Sequence, residues 1–113
     1  MDKIMNEVCV FLADGFEEIE GLTVVDLLRR AGIETRTVSI MGQEEIKGAH
    51  GIIVKADSLF ENTDFSEVKM LVLPGGMPGT IHLKEHKGLE GLILKHNEEK
   101  KYLAAICAAP TVF

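Results

Sequence analysis

Short apolar runs alternate along this chain with longer segments in which apolar residues recur every three or four positions. Continuous apolar runs of strand length occupy residues 7–13, 68–73 and 102–106. Such runs are typical of strands covered on both faces, as in a parallel sheet. Residues 33–40 alternate in polarity and predict a further strand. The strands are therefore expected to belong to one largely buried sheet.

Helical periodicity fills the longer intervals between these strands. Residues 17–31 predict a first helix that ends at Gly32, a residue type suited to a helix C-terminus. The apolar positions that define this helix are Ile19, Leu22, Val25 and Leu28. Residues 80–86 and 87–100 predict two more helices. The apolar face of the last helix comprises Leu89, Leu92, Ile93 and His96.

The middle of the chain is less regular. Residues 45–47 and 51–55 predict two short strands around a Gly-Ala-His-Gly turn, which we interpret as a hairpin at the sheet edge. Residues 56–66 predict a loop with at most one helical turn. His50 lies in the hairpin turn, where it is either a surface residue or part of a site.

This alternation of strands and helices predicts one α/β domain over residues 1–113, with an open, mostly parallel sheet and helices on both faces. Ligands bind such sheets at the carboxyl ends of the strands, near the switch in strand order. Three features fall on that edge: Glu20 after the first strand, the loop that follows residue 73, and Cys107. Their coincidence predicts a functional site there.

Cys107 follows a predicted strand and lies between small residues, in the segment AICAA. This copies the small-x-nucleophile-x-small frame of a strand-to-helix elbow. A helix that begins there would direct its amides at the sulfur and favour the thiolate. The alternative is a buried cysteine in an alanine-rich strand. Cys9, within the first apolar run, is predicted to be a core residue.

The loop Pro74-Gly75-Gly76 follows a predicted strand and lets the backbone turn its N–H groups outward. No GK[ST] sequence follows, which argues against a phosphate loop. The functional interpretation is an oxyanion hole, and the alternative is an ordinary turn between a strand and a helix. Of the three carboxylates that open the first helix, two fit a helix N-terminus. Glu20 lies one turn further in and is expected to point across the sheet edge.

Composition narrows the possible partners. The net charge of the 113-residue chain is −6, without a basic cluster, so nucleic acid and anionic membranes are not expected partners. No apolar run is long enough to span a bilayer and no signal-peptide pattern is present, so we expect a cytoplasmic protein with free thiols.

His82 and His86 lie four positions apart but lack a third ligand. We therefore predict neither metal nor cofactor.

Three segments together resemble the signature segments of the ThiJ/PfpI family, within the class I glutamine-amidotransferase-like superfamily. They are residues 14–20 (DGFEEIE), 71–76 (LVLPGG) and 104–110 (AAICAAP). Ala109 departs from the pattern, because glycine is usual there. The resemblance implies a flavodoxin-like sandwich that is usually dimeric. It also implies that relatives continue beyond Phe113, so we expect this chain to be an N-terminal portion, incomplete at its C-terminus.

The resemblance further implies roles for five residues. Cys107 would be the nucleophile and oxidation-sensitive thiol, with Glu20 as its carboxyl partner. Gly75, Gly76 and the Ala108 amide would form the oxyanion pocket. A carboxyl group in an apolar pocket beside a thiolate would stay protonated and donate a hydrogen bond to sulfur.

Three functions remain open from the sequence. The first is a cysteine-dependent glyoxalase or deglycase acting on small dicarbonyls such as methylglyoxal. The second is an oxidation-sensing thiol protein or redox-regulated chaperone. The third is an amidase or peptidase, which is disfavoured because Ala108 stands where a histidine base would support it. As a strict monomer, the chain is expected to show little turnover and to self-associate.

Overall fold

The computed structural model describes residues 7–99 and 101–105. The strands are β1 (Glu7–Leu12), β2 (Thr35–Ser39), β3 (Glu45–Lys47), β4 (Ile53–Lys55), β5 (Ser58–Leu59), β6 (Val68–Leu73) and β7 (Tyr102–Ala105). The helices are α1 (Glu18–Arg30), α2 (Gly79–Glu85) and α3 (Lys87–Glu98), with a 3-10 turn at Phe60–Asn62. Each predicted strand and helix is present within the described residues, with its ends shifted by a few positions.

Five strands form the main sheet in the order β5-β2-β1-β6-β7, and every described pairing in it is parallel. β1 lies at the centre, with β2 on one side and β6 on the other. The chain therefore leaves β1 in one direction and later returns to its opposite side. This places the switch in strand order at the carboxyl ends of β1 and β6, where a ligand crevice is expected.

The alternating side chains of β1 pack into two separate cores. Cys9 and Phe11 face one core together with Leu83, Leu89 and Ile93 from α2 and α3. Val8, Val10 and Leu12 face the other core, where the partners are Val25 of α1 and Ile46 of β3. Because successive strand residues point to opposite faces, both faces of the sheet are covered. The predicted α/β sandwich with helices on both faces is confirmed.

Two details differ from the sequence prediction. The β3–β4 hairpin is a separate antiparallel two-stranded sheet and is not an edge of the main sheet. One edge of the main sheet is formed instead by β5, which lies within the predicted loop. Asp57 explains this, because its carboxylate accepts the Thr37 amide of β2 and its own amide donates to the Thr37 carbonyl and hydroxyl. These bonds bring Ser58 and Leu59, which form β5, alongside β2.

The ends of α1 follow ordinary helix chemistry. Glu17 precedes the helix and accepts a hydrogen bond from the Ile19 amide. At the other end Gly32 has φ +81°, and the Ile33 amide donates to the Leu28 carbonyl.

Among the described residues, no helix is long and apolar enough to cross a membrane.

Candidate active site

The loops that follow β1 and β6 meet at the switch in strand order. The Glu17 amide donates to the Gly75 carbonyl over 2.9 Å, which joins the start of α1 to the β6–α2 loop. Gly76 has φ +100°, and a Cβ built on it would lie 2.4 Å from the Glu17 nitrogen and 2.8 Å from the Gly15 oxygen. The loops therefore approach so closely that only glycine fits at position 76.

Glu20 reaches across this junction to the β6–α2 loop. The Gly75 amide donates to Glu20 Oε1 over 3.0 Å, in a partly buried position. Two of the residues predicted for the site, far apart in the sequence, are thus in direct contact. The Gly75 N–H, predicted to bind an oxyanion, donates to an oxygen of the Glu20 side chain in this structure.

Cys107 and Ala108 lie outside the described residues, so their roles stay predictions. β7 is described to Ala105, which is opposite Leu73 in the ladder with β6. The other cysteine, Cys9, is fully buried in the core, as predicted. Burial, with a further contribution from the Glu7 carboxylate and a smaller opposing one from Arg36, raises the pKa of the Cys9 thiol to about 12. Cys9 is therefore protonated and unreactive at neutral pH.

The structure also brings together Glu18 and His50, a pair that the sequence analysis did not connect. His50 Nδ1 lies 2.8 Å from Glu18 Oε1 and 3.4 Å from Glu17 Oε2. Glu18 Oε2 accepts the amides of His50 and Ile52. Glu18 resembled an ordinary helix N-terminal carboxylate in the sequence, and no local pattern linked it to a turn more than thirty residues away.

Glu17, Glu18 and His50 form a cluster in which Glu18 and His50 shift each other's pKa. Burial disfavours ionised Glu18, but hydrogen bonds from the His50 ring and from backbone amides outweigh it and lower the Glu18 pKa to about 2. The hydrogen bond to Glu18, together with the charges of Glu17 and Glu18, raises the pKa of His50. Potential ligand atoms of these three residues lie within 4.8 Å of one another. These atoms are already paired with one another, so we assign no metal.

A protein-family model described as DJ-1/PfpI family matches residues 6–113 of this chain. This chain belongs to the DJ-1/PfpI family. The match extends over nearly the whole sequence and confirms the resemblance carried by the three signature segments. The fold agrees, because a structure of oxidized DJ-1 from Toxoplasma gondii matches with a TM-score of 0.90 at 36% identity. That match covers 94% of this chain and 58% of the other chain.

Curated relatives give the same family assignment. Protein DJ-1 homolog A of Arabidopsis thaliana is 34% identical over 112 residues, which are 99% of this chain and 29% of the plant protein. Protein dj-1beta of Drosophila melanogaster is 34% identical over 91% of this chain and 55% of its own length. A deglycase of Thermococcus kodakarensis is 32% identical over 94% of this chain and 63% of its own length. The chain thus spans less than two thirds of these relatives.

Proposed function

We propose that this chain carries the nucleophile, the proton-transferring carboxyl group and the backbone donors of a cysteine-dependent glyoxalase or deglycase. Its substrates would be small reactive dicarbonyls such as methylglyoxal. The contact between the Gly75 amide and Glu20 Oε1 at the carboxyl edge of the sheet is the observation that carries the proposal. The relative named as a deglycase supports this chemical class.

The reaction begins when the Cys107 thiolate adds to the aldehyde carbon of methylglyoxal. A carbon–sulfur bond forms, the carbonyl oxygen takes a proton from Glu20, and the product is a hemithioacetal. The Glu20 carboxylate then removes the hydrogen on that carbon as a proton and returns a proton to the neighbouring carbon through an enediol. Water cleaves the resulting lactate thioester and frees the thiol. One water is added overall, and no external oxidant or reductant is required.

We propose different tasks for the two oxygens of Glu20. Oε1 accepts the Gly75 N–H, so we place the transferable proton on Oε2. A fixed Oε1 would keep Oε2 in one orientation while the proton moves, which is a requirement of efficient general acid–base catalysis.

Methylglyoxal conversion to lactate tests the proposal in the parent chain and three variants. Cys107→Ser should reduce the reaction to background, and Glu20→Gln should lower it about 100-fold or more because glutamine cannot carry the proton. Cys9→Ala is the matched control and should retain the parent rate, because Cys9 is buried in the core.

Loss of the Cys107 thiol on methylglyoxal addition, followed by peptide mass mapping, is a second readout. The proposal fails if neither readout depends on Cys107. It also fails if Cys9 is the modified thiol.

An oxidation-sensing thiol is the second candidate function. The observation that favours it is the oxidized form of the similar Toxoplasma gondii DJ-1. A protonated Glu20 would donate a hydrogen bond to a sulfinate formed from Cys107. Limiting peroxide should then oxidise Cys107 ahead of Cys9, and a stable sulfinate without dicarbonyl turnover would favour this second function.

A further inference from the structure

The β3–β4 turn is built around the carboxylate of Glu18. The Glu18 side chain is only 5% exposed, and both of its oxygens contact the turn. Oε2 accepts the His50 amide over 2.8 Å and the Ile52 amide over 3.2 Å, while Oε1 meets His50 Nδ1 at 2.8 Å. A Cβ on Gly48 would lie 2.2 Å from Glu18 Oε2, so glycine is required for this close approach.

The first turn of α1 is held from a second direction by the β6–α2 loop. The Glu17 amide donates to the Gly75 carbonyl, and the Gly75 amide donates to Glu20. Glu18 lies between these two contacts in the sequence. A shift of Glu18 toward or away from the β3–β4 turn would therefore move the backbone that carries Glu20.

Backbone bonds strengthen the link between the turn and the β1–α1 loop. The Gly15 amide donates to the Lys47 carbonyl, and the Ala49 amide donates to the Phe16 carbonyl, each over 2.8 Å. The Lys47 amide donates to the Asp14 carboxylate. The loop before α1 is thus fixed by the hairpin on one side and by the β6–α2 loop on the other.

We propose that Glu18 and His50 are positioning residues that fix the first turn of α1 and thereby keep Glu20 in contact with the Gly75 amide. The inference rests on the proposed function only in treating Glu20 as the functional carboxyl group. Glu18 and His50 act through the backbone of α1 and do not themselves touch the substrate. The hydrogen bond between His50 Nδ1 and Glu18 Oε1 carries this role.

The contact between the Gly75 amide and Glu20 can be followed in the full chain. The measured quantities are the proton chemical shift and the hydrogen-exchange rate of the Gly75 amide. Glu18→Gln and His50→Ala should displace the Gly75 resonance and accelerate its exchange about tenfold, because the Glu20 oxygen that accepts its hydrogen bond is no longer held in place. His50→Asn should restore parent behaviour, because the asparagine amide nitrogen can also donate a hydrogen bond to Glu18 Oε1. A purely steric role of His50 would not give this rescue.

Arg30→Gln is the matched control, because Arg30 forms an exposed ion pair with Asp26 on the same helix. It should leave Gly75 unchanged. Amides of the central strand β1 report global unfolding, and His50 is 66% exposed, so His50 variants are expected to fold even if Glu18→Gln does not.

An unchanged Gly75 amide in His50→Ala overturns the inference, as does a failure of His50→Asn to rescue. The readout needs no turnover, so the two proposals fail separately. If methylglyoxal is not consumed but Gly75 responds as described, the positioning role stands without the proposed enzyme. If turnover depends on Cys107 and Gly75 does not respond, only the positioning role is wrong.

Discussion

At the scale of single residues, His86 shows how one side chain can make stability depend on pH. Its Nδ1 accepts the Leu89 amide over 2.9 Å and so caps the start of α3. The ring also contacts the edge of Phe60, with 4.7 Å between centroids. A nitrogen that accepts a hydrogen bond must be unprotonated, and burial lowers the pKa of His86 below its ordinary value of 6.5. Below about pH 6.5 this site therefore binds a proton in the unfolded chain but not in the folded chain, so the stability that His86 contributes is lost as pH falls.

We expect His86→Asn to flatten the decline in unfolding free energy between about pH 7 and about pH 5. Asparagine keeps a capping oxygen but does not titrate in this range. Part of the slope should remain, because burial also lowers the pKa of His96. Urea unfolding at each pH measures the slope, and His82→Gln is the control that should retain it. An equal slope in His86→Asn and the parent would contradict the assignment.

At the scale of elements, the loops depend on glycines that serve different purposes. Gly76 and Gly42 both have positive φ angles, +100° and +79°. A Cβ on Gly76 would collide with the backbone at the start of α1, whereas a Cβ on Gly42 would meet nothing within 4 Å. Alanine variants at these two positions can therefore be compared. The comparison separates the loss of unfolding free energy caused by the backbone conformation from the loss caused by close packing.

Gly42→Ala should destabilise the fold by about 1 kcal/mol, the cost of a left-handed conformation for alanine. Gly76→Ala should cost about 3 kcal/mol or more, because the two loops must also separate. Urea unfolding compares the two variants directly. Similar losses in both would mean that the approach of the loops is not limited by position 76.

How much was predictable also varies by element. β1 and β6 are continuous apolar runs, and α1 has a clear helical period, so the central layers followed from the sequence. β5 was missed because it has two residues and depends on the distant contact between Asp57 and Thr37. The approach of Glu20 to the glycine loop was expected from the strand order. The Glu18–His50 pair was not, because it joins two elements without any local periodicity.

At the scale of the whole molecule, several large apolar side chains remain exposed among the described residues. On α1, Ile19 is 75% and Leu27 is 59% exposed, and their eight-residue separation places them on the same side of the helix. Thr23, also exposed, lies between them on that side. We propose self-association of this protein, with the outer side of α1 in the contact.

Leu27→Glu should therefore lower the mass measured by light scattering, because a charge at an apolar contact must be desolvated. Leu94→Glu on α3 is a matched comparison, since Leu94 is also 59% exposed but lies on the other face of the sheet. It should leave the mass unchanged. A monodisperse parent at 12.4 kDa would show that the chain does not self-associate.

The central position of β1 has a consequence for biosynthesis. β1 leaves the ribosome well before one of its two partners, β6, which ends only at Leu73. At ordinary translation rates, the interval between the synthesis of β1 and that of β6 is on the order of several seconds. During that interval a run of apolar residues has an unpaired edge, which is the kind of surface that chaperones shield. Nascent chains stalled before β6 should therefore be the most prone to aggregate.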